Sequence, residues 1–404
     1  MKIRLVSFLM IACFIGLAPP IYDAEEKINN DMEEEVYDAE KVAEEVESQL
    51  IDTLLLEEVT FYWNELGRSY GDYVPELTEK NFSEIVKSGQ PLTIKTAIKG
   101  FMSYLFYEIV LNGKLLGTLI ILTLFALILQ SLHNAFEQRV VRHVAYFVVY
   151  TVLLFVTLSS FYTVFQYARN TVDTMGSFLL ALLPLLLSLI AASGQMISVT
   201  FFHPIIIFLI HVTSIVVHSF VLPLLYLAAL LVVISYMNKE FQATQLAQLL
   251  RSVSIGTIGL IMTIFLGVMS VQGAATVFQD GIALKTTKFI AGNFIPVVGR
   301  TLTDAADTVL SATLLLKNTI GIIGLLMIVF IAAFPAIKIA VIAFMYKVVA
   351  ALLQPLGDNP IIQSLNAIST YIMYIFACIV IVTFMFFLSV VIIVALSNIP
   401  LLLA

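Results

Sequence analysis

Beyond residue 113 the sequence is dominated by apolar runs of bilayer length. They lie at about 115–132, 144–165, 177–193, 200–218, 220–237, 256–278, 319–335, 337–354 and 368–396. A helix rises ~1.5 Å per residue, so roughly 20 apolar residues cross the ~30 Å hydrocarbon core of a membrane. Soluble domains carry about a quarter charged residues, whereas this chain has 12% charged and 60% apolar residues. The fold class that follows is an all-α polytopic membrane protein with about 8–10 transmembrane or re-entrant helices. Pro223 and Pro335 lie near joints between adjacent runs. Proline lacks an N–H and clashes with the preceding turn, so both joints are predicted to be tight hairpins or breaks.

The charges are segregated. Residues 21–90 hold 20 of the 28 acidic side chains, whereas 91–404 hold 14 basic and 8 acidic ones. An acidic aqueous segment therefore precedes a mildly basic membrane domain, and neither composition suits nucleic acid. Lys2 and Arg4 followed by an apolar run from Leu5 to Ala18 form a signal-like leader. Pro19 disfavours a cut after Ala18, so the leader is either removed or retained as an anchor. Residues 19–112 then read as an acidic, helical, extracytoplasmic domain ending in an amphipathic helix at 95–112, with Val42, Val46, Leu50 and Leu54 at helical spacing inside it. Residues 113–404 form the multi-pass domain. Arg139, Arg142, Lys239 and Arg251 place their loops in the cytoplasm by the positive-inside rule, and the acidic domain outside.

Little in the chain points to catalysis. Cys13 and Cys378 build no disulfide framework or zinc pattern. His203, His211 and His218 fall within roughly 80° on a helical wheel, a geometry open to a metal face or proton relay. No HExxH accompanies them, and interfacial or hairpin histidines are the favoured reading. Ser193 in "AASG" faintly resembles an intramembrane nucleophile, but no activating partner is specified. Nucleotide-binding motifs are absent. No enzyme activity, cofactor or metal is therefore expected. Gly256, Gly259, Gly267, Gly321 and Gly324 are read as close helix contacts.

Three ordered matches suggest an internal duplication. "TVFQ" occurs at 163–166 and 276–279, "GSFLLALLP" at 176–184 aligns with "GNFIPVVG" at 292–299, and the Pro223 segment aligns with the Pro335 segment. Repeats are therefore expected at 144–237 and 256–354. The alignment sets the polar stretch 292–314 opposite a membrane span. Within it Arg300, Asp304, Asp307 and Ser311 recur as one helical stripe. The helix either sits among others, lining a polar path or an ion-paired seam, or lies on the surface with its charges solvated. The interior placement is preferred here.

These residues also carry a resemblance. "YLFYEIVLNGKLLGTLIIL" at 104–122, "ALLPLLLSLIAASG" at 181–194, "FFHP" at 201–204 and "GNFIPVVGRTLTDAADTVL" at 292–310 resemble the stage III sporulation protein AE family over essentially the whole chain. The resemblance implies a mother-cell protein of endospore formers, held in the outer forespore membrane. It implies partners among the other stage III proteins of a channel complex that links mother cell and forespore after engulfment. It supplies no active site. The alternative functional reading is a stand-alone secondary transporter of a small solute, suggested by the repeat and the polar helix. An intramembrane enzyme built on His203 and Ser193 is the third.

Overall fold

The computed structural model describes residues 57–88, 94–131, 139–237, 242–294, 298–357 and 359–396. Every regular element among them is helical, and six helical stretches are long and apolar enough to cross a membrane. The leader and the apolar positions at 42–54 lie outside the described residues.

Three short helices come first: α1 (Glu57–Tyr70), α2 (Glu76–Glu79) and α3 (Phe82–Ser88). Their buried faces meet in Trp63, Leu66, Val74, Leu77, Phe82 and Ile85. The Trp63 Nε1–H donates to the Lys80 carbonyl at 3.1 Å, so the indole is buried without losing its hydrogen bond. α4 (Ile94–Leu111) has nearly the bounds expected for the helix at 95–112. Gly100 and Tyr104 are buried, while Met102, Phe106, Tyr107 and Val110 are exposed. α5 (Gly113–Ser131) continues nearly end to end from it, and the two together form one apolar stretch, Lys95–Ile128.

The remaining helices are long rods. α6 (Arg139–Ala192) has 54 residues, α9 (Thr244–Phe294) 51 and α10 (Val298–Leu353) 56. At ~1.5 Å per residue, α6 and α10 are each about 80 Å long, more than twice the hydrocarbon thickness. α7 (Met196–Val216), a π-helical turn (Val217–Val221) and α8 (Leu222–Met237) make another unbroken rod, and α11 (Pro360–Leu396) closes the bundle.

The joints expected at Pro223 and Pro335 are therefore neither hairpins nor breaks. Pro335 lies inside α10, and Pro223 follows directly on the π-turn. A proline cannot bond the carbonyl four residues back, here that of Ser219, and its ring crowds that carbonyl. Ser219 sits within the π-turn, whose wider winding makes room for the ring and lets the helix continue. The spans read separately at 144–165 and 177–193, at 200–218 and 220–237, and at 319–335 and 337–354 are halves of single rods.

Two of the reversals fall at glycine. Gly194 has φ 82° and Gly357 φ 128°, both in the left-handed region. At the first, the Gln195 N–H bonds the Ile190 carbonyl and the Gly194 N–H bonds that of Ala191, closing the end of α6. Ser193 belongs to this cap. It is fully buried and its hydroxyl donates to the Ile190 carbonyl at 2.7 Å.

α11 packs along α10, where the Ser369 hydroxyl donates to the Ala343 carbonyl at 2.8 Å. It also meets α6 through Tyr150 and Ser364, 3.0 Å apart. The glycines divide into two groups. A Cβ at Gly321 would lie 2.5 Å from Val394, and one at Gly324 would lie 2.6 Å from Leu182, so these two do permit close approach. Gly256, Gly259 and Gly267 face open space and mark no contact.

Candidate functional site

Midway along α6 the apolar pattern is interrupted by Tyr167, Arg169, Asn170, Thr171, Asp173 and Thr174. At about 100° per residue, Tyr167, Thr171 and Thr174 share one face, and Arg169 and Asp173 share the opposite one. Each face meets a different polar partner, so the middle of this rod is the hub of a polar belt.

On the first face lies a buried ion pair. Glu108 on α4 is 1% exposed, and its Oε1 stands 3.5 Å from Lys338 Nζ on α10. The Tyr104 hydroxyl donates to the same oxygen at 2.8 Å. Asn112 Nδ2 donates to Oε2 at 3.0 Å and to the Glu108 carbonyl at 2.9 Å. The ammonium of Lys338 also lies 4.6 Å from the centroid of the Tyr167 ring. A buried charge survives only when paired and hydrogen-bonded, and Glu108 meets both conditions.

Aromatic rings seal this pair from the N-terminal side. Tyr70 of α1 stacks on Phe334 of α10 at 3.9 Å with 8° between planes, and Tyr104 packs edge-on to both. Burial, then the nearby Glu108 carboxylate, pushes the Tyr70 hydroxyl up to about 12. Next to the stack, α1, α6 and α10 border a half-open cavity of about 200 Å³ that Tyr62, Glu65, Tyr70, Tyr167, Thr171 and Thr174 help to line.

On the opposite face, His218 of the π-turn is held by α6. Arg169 Nε donates to the imidazole ring, and Asp173 lies 3.0 Å from Nδ1. A ring carrying its proton on Nδ1 donates to Asp173 and accepts from Arg169 through Nε2, satisfying both neighbours at once. A π-turn re-aims the side chains on it, and here it presents the imidazole to the polar face of α6.

The histidines do not converge. His203 and His211 are exposed on α7, and among the described residues no group of three or more His, Cys, Asp or Glu could hold a metal. Arg300, Asp304, Asp307 and Ser311 occupy the first turns of α10, in helical register as their spacing requires. Ser311 is exposed, and the side chains of Arg300, Asp304 and Asp307 lie outside the described residues. Asp304 stands 34 positions before Lys338 on one rod, so stripe and belt are about 50 Å apart along it. The Gly176–Pro184 match lies inside α6, whereas its counterpart at 292–299 spans the end of α9 and the start of α10.

Glu108, Lys338, Arg169 and Asp173 were not singled out from the sequence. The available signal was an isolated acid or base within a long apolar segment, which marks a functional candidate in a membrane protein.

Comparison with known proteins gives a consistent result. The family model described as Stage III sporulation protein AE matches residues 78–397. The Bacillus subtilis (strain 168) protein named "Stage III sporulation protein AE" is 47% identical over 365 residues, covering 90% of this chain and 92% of that one. No solved structure matches.

Proposed function

Because the chain belongs to the stage III sporulation protein AE family, we propose that it is a membrane subunit of the channel complex joining mother cell and engulfed forespore. It acts there with other stage III proteins, in the mother-cell-derived outer forespore membrane. What carries this reading is the extent of the likeness to the Bacillus subtilis protein, 90% of the chain. The family is named for a stage of sporulation rather than for a reaction, and the multi-pass helical architecture fits a membrane component.

Helix lengths support one placement of the bilayer. α5 has 19 residues, about 28 Å, and runs from the Glu108–Lys338 level toward the start of α6. That end of the bundle carries Arg139 and Arg142, with Arg251 and Lys347 near it. The bilayer then lies between the polar belt and this basic, cytoplasmic end. The other halves of the rods, with α1–α3, project on the exported side toward the forespore. In that region Arg300, Asp304, Asp307 and Ser311 form a second polar stripe, at the far end of the path or in an ion-paired seam.

The test is complementation. In an endospore former lacking its own homologue, the chain should restore spores and co-purify with stage III partners. Asp304→Ala or Asp307→Ala should arrest sporulation after engulfment at normal protein level. Normal spore yield with both substitutions would remove the stripe from the path. Solute transport by the chain alone in liposomes, without stage III partners bound in cells, would favour the stand-alone transporter.

A further inference from the structure

The cavity between α1, α6 and α10 has a composition that selects its ligand. Its volume is about 200 Å³. An apolar cavity of about 150 Å³ accommodates benzene, so this one suits a group of roughly six to ten heavy atoms. Three tyrosines, Tyr62, Tyr70 and Tyr167, contribute rings, and Thr171 and Thr174 contribute hydroxyls. Glu65 is the charged residue of the lining. It is exposed and forms no ion pair among the described residues. Its field reaches the cavity, since it helps raise the Tyr62 and Tyr70 hydroxyls, after burial. Lys338 is outside the lining and already engaged with Glu108.

We propose that this cavity binds a small organic ammonium group. The Glu65 carboxylate supplies the countercharge. Phe334 covers one face of Tyr70, and Lys338 lies over one face of Tyr167. The ring surface left bordering the cavity, with that of Tyr62, stabilises a diffuse cation, and the threonine hydroxyls accept from its N–H or from an attached hydroxyl. An anion would meet one carboxylate that has no ion pair among the described residues, and an uncharged ligand would gain nothing from it. Because the walls come from α1, α6 and α10, an occupied site ties the N-terminal helices to the bundle. The proposal stands independently of the channel reading. The ammonium has two possible sources, a free amine solute or a lipid headgroup.

The experiment uses the full chain in non-ionic detergent micelles. Choline is titrated against its uncharged isostere 3,3-dimethyl-1-butanol, followed by calorimetry and by the fluorescence of Trp63, the single tryptophan. Choline is expected to saturate in about the millimolar range, and the isostere to bind about tenfold more weakly or not at all. Glu65→Gln, at an exposed position that tolerates the change, should weaken choline by about fivefold. The proposal is overturned if choline shows no saturation by about 100 mM. Isostere binding within about twofold of choline, or unchanged choline affinity in Glu65→Gln, overturns it as well. Nanodiscs then identify the source. Phosphatidylethanolamine that displaces choline, relative to phosphatidylglycerol alone, supports a headgroup ligand. Unchanged choline binding supports a free amine.

Discussion

Removing the charge of Glu108 should destabilise the protein through Lys338. At 3.5 Å the gross Coulomb attraction is about 5 kcal/mol with an effective dielectric near 20. Breaking a fully buried pair commonly costs about 3–5 kcal/mol. Here the two partners differ, because the Glu108 side chain is 2% exposed and that of Lys338 is 26% exposed. Lys338 can recover some hydration and keeps its contact with Tyr167, so a coupling of about 1–3 kcal/mol is expected. Glu108→Gln is the informative change, since its amide oxygen can still accept from Tyr104 or Asn112. The measurement is a double-mutant cycle with Lys338→Met. Unfolding is followed by Trp63 fluorescence in mixed micelles under reversible conditions. Glu108→Gln alone should lower stability, and adding Lys338→Met should restore part of it. A coupling below about 0.5 kcal/mol would refute the reasoning and reduce the pair to a geometric coincidence.

Other outcomes follow from single positions. A Cβ at Gly100 would lie 2.7 Å from the Tyr73 carbonyl oxygen, so Gly100→Ala should cost about 1–3 kcal/mol. Gly256→Ala, in open space on α9, should instead be neutral or stabilise by up to about 1 kcal/mol in the same unfolding assay. The Tyr70 hydroxyl is raised from 10.0 to about 12, so its stabilisation is full below pH 10. As pH rises from 10 to 12 the unfolded chain ionises first, and about 2–3 kcal/mol should be lost, a component absent from Tyr70→Phe. The bilayer placement is checked by cysteine labelling in cells with an impermeant reagent. Asn64→Cys and Leu180→Cys should react, Phe155→Cys should be shielded, and Arg139→Cys should react only after permeabilisation. Labelling at 139 but not at 64 in intact cells would reverse the orientation.

The sequence alone determined the helices, the membrane class and the family. Each of these depends on properties that stay local to a segment. Apolar length and backbone satisfaction in lipid leave a run such as 368–396 little choice but helix, and α4 fell within one residue of its expected bounds. The register of Arg300, Asp304, Asp307 and Ser311 was likewise legible, since helical periodicity needs no neighbours.

Tertiary structure decided which polar groups meet. Glu108 and Lys338 are 230 positions apart, and His218 finds Asp173 45 residues upstream, so no local pattern pairs them. The prolines show the same boundary from the other side. The lost hydrogen bond was certain from sequence, but whether the helix turns back or continues depends on its surroundings. At Pro223 a π-turn let it continue. Gly324 and Gly256 are chemically identical, yet one meets Leu182 and the other open space. Local chemistry sets what a segment can form. The packing of rods about 80 Å long sets which residues share the belt, because contact across helices is a property of their assembly.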